Sequence, residues 1–335
     1  MMTEKLKIYV SSRVASVIEK DAEGFEFYKK DGRTLNKNAL LTRLIVNYHR
    51  RFAAEQEELF SFLKQKLAPV QADAKGIDEI CFAVCERWNE RRAAPDGEKF
   101  DVPVSIKPTR ESEPVIDYIE RYSLAGRTLS EYFRGMFSSY AALPQDKREE
   151  IVFQPQYDAV TKAIREKKKV YLTTRKGAEK GTEIAPYAIA RSKEEMHLYV
   201  IGAQRACLPV RLSRITAVTI LTADAVFDER QVALAEKMIR YGPQFFYRFD
   251  EEEVLVELTE RGMDKYQKIY VHRPVPVKVE GNRYYFCCSH SQIVQYFVRF
   301  GGDAEIIYPE KMREDICFFH RRALAKYRKK KREEE

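Results

Sequence analysis

Residues 184–221, IAPYAIARSKEEMHLYVIGAQRACLPVRLSRITAVTIL, hold the side chains of this chain best suited to chemistry. In 196–201 and again in 209–215 polar and apolar positions trade places every residue or two, the period of a half-buried strand. Along the second run Val210, Leu212 and Ile215 are expected to face a core, leaving Arg211, Ser213 and Arg214 on the other side. Two guanidinium groups then ride on rigid backbone. Paired arginines on a sheet suit an anionic ligand, because their planar donor fork matches carboxylate or phosphate oxygens. Arginines on such a strand also fit a face that is merely solvated or ion-paired.

Other chemistries leave no trace. There is no Gly-rich phosphate loop, no Gly-x-Ser-x-Gly elbow and no His-Glu-x-x-His helix, so the chain reads as a binding protein and not an enzyme. Cys287, Cys288 and His290, taken with Cys317 and His320, match no common zinc spacing. Cys81 and Cys85, one helical turn apart, read as small core residues. No metal and no cofactor are expected. The six cysteines lack disulfide-framework spacing and fit reduced thiols. No apolar run reaches the roughly eighteen residues of a membrane span, and the first residues lack an apolar signal core, so a cytoplasmic protein with no membrane partner is expected.

The 59 Lys and Arg against 51 Asp and Glu give a net charge of +8, which favours a polyanionic partner. The charge lies in separate patches: Arg43, His49, Arg50 and Arg51; Lys167, Lys168 and Lys169; and a basic tail from Arg328 to Arg332 that Glu333, Glu334 and Glu335 blunt.

The elements that would position such groups fall into three blocks. In 5–12 Leu6, Ile8 and Val10 alternate with Lys5, Lys7, Tyr9 and Ser11, which predicts a strand with the second set outward. A helix over 13–24 follows, and Asn36 caps a second through Arg51 with Leu40, Leu41, Leu44, Ile45 and Tyr48 buried. Strand, helix, turn and helix in this order resemble a ribbon-helix-helix DNA-binding module, whose strand must pair with a second copy before the ribbon can enter a major groove. This chain carries that copy itself. Residues 102–143 repeat the plan, and Gly126-Arg127-Thr128-Leu129-Ser130 echoes Gly32-Arg33-Thr34-Leu35-Asn36. Val102, Val104 and Ile106 face in, while Pro103, Ser105 and Lys107 face out. Proline offers no hydrogen bond to a base, so Lys5, Lys7, Tyr9 and Lys107 are the candidate DNA contacts, and packing or dimerisation is the alternative role. Between the copies, 55–67 and 77–92 read as helices, the latter with Ile80, Cys81, Val84, Cys85 and Trp88 on one stripe. Pro95-Asp96-Gly97 is a turn signal.

From Tyr157 to Lys168 a helix packs Val160, Ala163 and Ile164 beneath a set of strands at 170–175, 182–190, 195–203, 207–213 and 217–221, with turns at Lys176-Gly177 and Arg191-Ser192. Within it Pro186-Tyr187, Leu198-Tyr199-Val200 and Val210-Arg211-Leu212-Ser213-Arg214-Ile215 resemble the WYL domain of bacterial regulators over 154–228. The family's Trp-Tyr-Leu keeps only its Tyr here, and its Arg-Leu-Asp-Arg-Ile becomes Arg-Leu-Ser-Arg-Ile. The resemblance implies an Sm-like β-barrel that senses nucleic acid or a nucleotide-like ligand. It also implies a pocket of Tyr171, Thr173, Arg175, Tyr187, Arg191, His197, Tyr199, Arg211 and Arg214, of which Tyr199, Arg211 and Arg214 fall on motif positions.

Beyond Glu252 the pattern is strand (VLVEL), helix (DKYQKI), two strands (PVPVKV and RYYFCCS), helix (QIVQYFVRFG), strand (AEIIYP) and a last helix to Tyr327. It resembles the ferredoxin-like extension that accompanies WYL domains. Arg283, Tyr284, Tyr285 and Phe286 suit base stacking beside a cation, with core packing as the alternative.

The expected architecture is thus a multidomain α+β chain: residues 1–150 a duplicated ribbon-helix-helix-like domain (5–52 and 102–143) with a helical insert, 151–230 the Sm-like WYL barrel, and 231–335 its extension. This combination resembles the accessory proteins of type VI-D CRISPR RNA-guided ribonucleases, which implies single-stranded RNA as partner, stimulation of such an effector, and a homodimer. The alternative is a DNA-binding transcription regulator whose WYL domain senses single-stranded DNA or a nucleotide-like ligand, with duplex DNA as partner.

Overall fold

The computed structural model describes residues 5–69, 73–93, 99–124, 126–175, 181–204, 206–248 and 250–333. The expected turns at Pro95-Asp96-Gly97 and Lys176-Gly177, and the side chains of the tail after Arg328, lie outside the described residues. The chain divides into two compact units, one of residues Met1–Asp158 with Leu212–Arg214 and one of Ala159–Arg211 with Ile215–Glu335.

The first unit opens with β1 (Leu6–Val10), which buries Ile8 and Val10 and exposes Lys7 and Tyr9. Ser11 was expected to face outward and is instead buried, because its hydroxyl accepts the Val14 N–H and caps α1 (Ser12–Gly24) from the core side. Asn36 caps α2 as expected, but α2 (Lys37–Leu67) is one unbroken helix of 31 residues and not two. Nothing at Phe52-Ala53-Ala54 interrupts it, and alanines propagate a helix. In α3 (Ala74–Ala93) only Cys81 and Cys85 of the expected stripe are buried; Ile80, Val84 and Trp88 are exposed.

β2 (Val102–Ile106) pairs antiparallel with β1 inside the same chain, from Leu6 opposite Ile106 to Val10 opposite Val102. Then come α4 (Glu113–Tyr122), α5 (Leu129–Ala142) and α6 (Gln145–Val152). The repeated pentapeptide behaves alike at its glycines, with φ of +68° at Gly32 and +86° at Gly126, the left-handed region that glycine enters without strain. It behaves differently at the cap. In the first copy Asp31 takes the N–H groups of Arg33 and Thr34 and the Thr34 hydroxyl, so the helix starts two residues later at Asn36. In the second copy Ala125 stands where Asp31 stood, and Thr128 itself caps α5 in a reciprocal box with Glu131.

The core of this unit is aromatic, with Phe52 edge-on to Tyr132 at 5.3 Å and Phe25 to Phe153 at 5.9 Å. One ion pair is sealed inside it. Arg148 of α6 donates to Asp21 of α1 at 2.7 and 2.9 Å, and the buried Tyr140 hydroxyl of α5 donates to the same carboxylate at 2.7 Å.

Helix α7 (Gln154–Arg165) leads into the second unit. There β3 (Lys168–Thr174), β4 (Thr182–Arg191), β5 (Leu198–Ala203), β6 (Cys207–Arg211) and β7 (Ile215–Asp224) form an antiparallel sheet in the order β6-β5-β4-β3-β7. Four strands meander and the fifth returns beside the first. Strand ends differ from expectation: β3 starts at Lys168 instead of 170, β7 runs Ile215–Asp224 instead of 217–221, and two further ends have a visible cause. β5 begins at Leu198, because Met196 takes φ +57° in the preceding turn. β6 stops at Arg211, where Leu212–Arg214 make a 3₁₀ turn that buries Ser213 completely, so the expected outward Ser213 is corrected. Among the described residues β6 and β7 are the two edges of the sheet and do not pair, so it is open and not a closed barrel.

A helix that the sequence reading lacked, α8 (Glu229–Tyr241), starts at an Asp228/Gln231 capping box and packs Leu234, Ala235 and Met238 on Ala190, Ile201, Ala203 and Cys207. The rest is β8 (Val254–Leu258), α9 (Glu260–Lys268), β9 (Lys278–Glu280), β10 (Arg283–Phe286), α10 (His290–Phe297), β11 (Ala304–Tyr308) and α11 (Glu310–Glu333). Its antiparallel sheet has the order β11-β8-β10-β9. Of the residues expected to stack on β10, Phe286 and Tyr284 take the core-packing alternative, while Arg283 is exposed and Tyr285 partly so. Phe286 is fully buried, Tyr284 packs on the Tyr266 ring at 5.1 Å, Arg283 pairs with Glu257 at 3.1 Å, and the Tyr285 hydroxyl donates to Glu280 at 2.9 Å.

Candidate functional site

The end of the β4–β5 hairpin gathers four of the residues singled out from sequence. Ser192 closes the turn: its N–H donates to the His197 carbonyl at 2.9 Å, and its hydroxyl accepts the His197 N–H at 3.2 Å. Tyr199 on β5 lies directly opposite Arg211 on β6, so their side chains leave the same face of the sheet. An Arg211 Nη2–H donates to His197 Nε2 at 2.6 Å. A guanidinium has no acceptor, so His197 must offer the Nε2 lone pair and carry its proton on Nδ1. His197 is 8% exposed, and this bond ties the guanidinium to a buried ring. The Tyr199 hydroxyl donates to Glu195 in the turn at 3.1 Å. Arg191 is exposed at the end of β4, in register with Leu198. A fixed cation beside an aromatic ring can take a phosphate and the base next to it.

The other expected pocket residues go elsewhere. Tyr171 faces Glu183 near the start of β4, whereas Tyr199 faces Ala190 near its end. Those positions are seven residues apart on one strand, roughly 23 Å at the rise of an extended chain. Thr173 and Arg175 follow Tyr171 towards that far end, and the Tyr171 ring packs closely over Gly181. Tyr187 sits at the β4 bulge and turns to α8, with its hydroxyl on Glu236 at 3.2 Å and its ring edge-on to Phe227 at 5.3 Å. Burial, with Glu236 second, pushes its phenol pKa up. Arg214 belongs to the first unit, where it holds Glu26 through Nε at 3.0 Å and Nη2 at 2.7 Å. The two arginines that the sequence paired therefore serve different partners.

On the first unit the ribbon brings its candidates together. Lys5, Lys7, Tyr9 and Lys107 are all exposed, Lys7 stands opposite Ser105 and Tyr9 opposite Pro103, and the Lys7 ammonium lies 5.9 Å from the Tyr9 ring centroid. Asn38 of α2 grips the Lys107 backbone on both sides, accepting its N–H at 2.8 Å and donating to its carbonyl at 3.0 Å. Arg134 of α5 donates to the Tyr9 carbonyl at 3.0 Å. The outward row of Lys5, Lys7, Tyr9, Pro103, Ser105 and Lys107 contains no acid.

Sequence reasoning missed the groups that hold these side chains: Glu195, Glu26, Asn38, Arg134 and Glu236. Each is an ordinary polar residue in a turn or on a helix face, and Glu26 lies 188 residues from its arginine. No local period marks them.

No family model matches the chain, and no curated protein matches it. Solved structures do. The chain is similar to a CRISPR Cas-related protein of known crystal structure, with a TM-score of 0.61 and 19% identity over 98% of this chain and 95% of that one. It also aligns, over 93% of its length and 54% of the other chain, with proteasome accessory factor B/C (PafBC) of Arthrobacter aurescens at 15% identity, but the TM-score of 0.24 is too low to equate the folds. The protein is thus an α+β chain of three antiparallel sheets among its described residues, with the fold of that CRISPR Cas-related protein.

Proposed function

We propose that this protein is a nucleic-acid-binding accessory protein, not an enzyme, that holds single-stranded RNA at the end of the β4–β5 hairpin and stimulates a type VI-D CRISPR RNA-guided ribonuclease. The observation that carries the reading is the cross-strand placement of Tyr199 and Arg211 on one face of the sheet, with His197 fixing the guanidinium. An exposed Arg191 at the same end adds a second cation for the strand. Finer assignments of the fold support it. The order β6-β5-β4-β3-β7, a meander closed by a returning strand, is consistent with an opened Sm-like WYL sheet. The β-α-β-β-α-β run from β8 to β11 in the order β11-β8-β10-β9 fits a ferredoxin-like extension. The intrachain β1–β2 ribbon with two following helices per strand fits a duplicated ribbon-helix-helix. Exposed Tyr270, Phe318 and Tyr327 in the second unit favour a homodimer that covers some of these side chains.

Fluorescence anisotropy with a labelled single-stranded RNA tests the reading. Arg211→Ala and Tyr199→Ala each remove one contact worth about 1 to 3 kcal/mol, so each weakens binding by several-fold to about a hundredfold. Wild-type affinity in both variants sinks it. The acid-free outward row of the ribbon favours a second reading, a regulator that reads duplex DNA. That reading requires tight duplex binding that disappears in Lys5→Ala with Lys7→Ala.

A further inference from the structure

The hairpin that carries Tyr199 is bonded to a loop of the second sheet in the same unit. One oxygen of Glu195, Oε2, accepts the Tyr199 hydroxyl at 3.1 Å, and the other, Oε1, lies 3.8 Å from His272 Nε2. His272 Nδ1 lies 3.2 Å from Glu194 Oε2, which also accepts from Gln244 at 3.2 Å. The His272 ring is edge-on to Phe245 at 5.5 Å, and its carbonyl accepts from the buried Gln292 side chain at 3.2 Å. An imidazole from the loop between α9 and β9 is therefore wedged between the two turn carboxylates.

From this geometry we infer that Glu195 is a positioning residue for Tyr199, fixing the phenol by its hydroxyl so that the ring stands ready beside Arg211, and that His272, hydrogen-bonded to the adjacent Glu194, holds the turn that carries Glu195. The inference rests on the single-strand reading above and adds the loop of the second sheet to the binding site. Its sign is unusual. A carboxylate beside a site for a polyanion repels the ligand, so charge alone makes Glu195→Ala bind more tightly. Positioning predicts the reverse, because a ring free to sample rotamers must be ordered on binding.

The test is a double-mutant cycle on single-stranded RNA affinity. Glu195→Ala and Tyr199→Phe, which keeps the ring and loses the hydroxyl, each weaken binding roughly threefold to tenfold, the range set by ordering one side chain. The double variant is no weaker than either single one. Glu195→Gln keeps an oxygen acceptor and restores most of the loss, and His272→Ala weakens binding only while the Tyr199 hydroxyl is present. Unchanged or tighter binding by Glu195→Ala, or additive losses in the cycle, overturns the inference. A readout without RNA stands beside it: the ¹⁹F resonance of 3-fluorotyrosine placed at position 199 shifts in Glu195→Ala and in His272→Ala. An unmoved resonance overturns positioning. Absence of wild-type RNA binding would instead remove the functional reading, and the ¹⁹F result would still decide whether Glu195 and His272 hold the phenol.

Discussion

Arg211 and Arg214 are separated by a 3₁₀ turn, and the turn sends one guanidinium to His197 and the other to Glu26. The sequence reading put both opposite Val210, Leu212 and Ile215, although residues three apart on a continuing strand point to opposite faces. The break at Leu212 is fixed by burial of Leu212 and Ser213, a tertiary demand that no local period records. The Arg214 side chain stays 43% exposed, so its ion pair is worth at most about 1 kcal/mol. Arg214→Ala is therefore expected to leave single-strand affinity within about twofold and to lower unfolding free energy by less than about 1 kcal/mol in a urea titration. Arg148 is the opposite case. Its partner Asp21 is buried, and Arg148→Met strands that charge, with an expected loss of about 3 to 5 kcal/mol on the same measurement. A loss under about 1 kcal/mol would contradict the sealed pair.

At the scale of elements, periodicity located most strands and helices and misjudged their ends. Leu6–Val10 and Val102–Ile106 were legible because one face is apolar and the other polar, and their pairing followed from the repeated plan. The long α2 was legible only as two helices, through Arg51 and over 55–67, because no local signal shows that Phe52-Ala53-Ala54 joins them, and α8 was overlooked although Asp228-x-x-Gln231 announces its start. The repeat hid a shift in its caps. Asn36→Ala and Thr128→Ala should each cost about 1 kcal/mol of stability, whereas Ser130→Ala, the motif counterpart of Asn36, should cost next to nothing. An equal loss from Ser130→Ala would argue for identical caps in both copies. The ribbon offers another check. Because β1 and β2 pair within one chain, hydrogen exchange of their amides should be independent of protein concentration; protection that fades on dilution would mean strands shared between chains.

For the whole molecule, the sequence conveyed three sheets and a basic balance, and it grouped candidate residues by strand face. Faces do not give distance along a strand, which is why Tyr171 and Tyr199 stood together in the reading and lie at opposite ends of β4 in the structure. Buried phenols resist ionisation. Burial pushes Tyr132 and Tyr296 up to about 12, and Tyr140 well above its usual value. A phenol raised in the folded state supports the fold below its unfolded pKa near 10 and withdraws that support as pH rises through the folded value. Thermal midpoints should thus hold from neutral pH to about 9 and fall between about 10 and 12. Light scattering should give twice the chain mass of 39.2 kDa; a monomer would contradict the dimer.

The central claim is that the sheet end at Tyr199 and Arg211 takes a single strand and that the ribbon contributes little to it. A side-by-side titration of labelled single-stranded RNA, single-stranded DNA and duplex DNA at two salt concentrations tests it most directly, run on wild type, on Arg211→Ala with Tyr199→Ala, and on Lys5→Ala with Lys7→Ala. The account predicts tightest binding to single-stranded RNA, lost in the sheet variant and kept in the ribbon variant, with duplex bound only in the roughly 10⁻⁴ to 10⁻⁶ M range of non-specific contact. Tight duplex binding that the ribbon variant abolishes, with single-strand affinity untouched in the sheet variant, would contradict it.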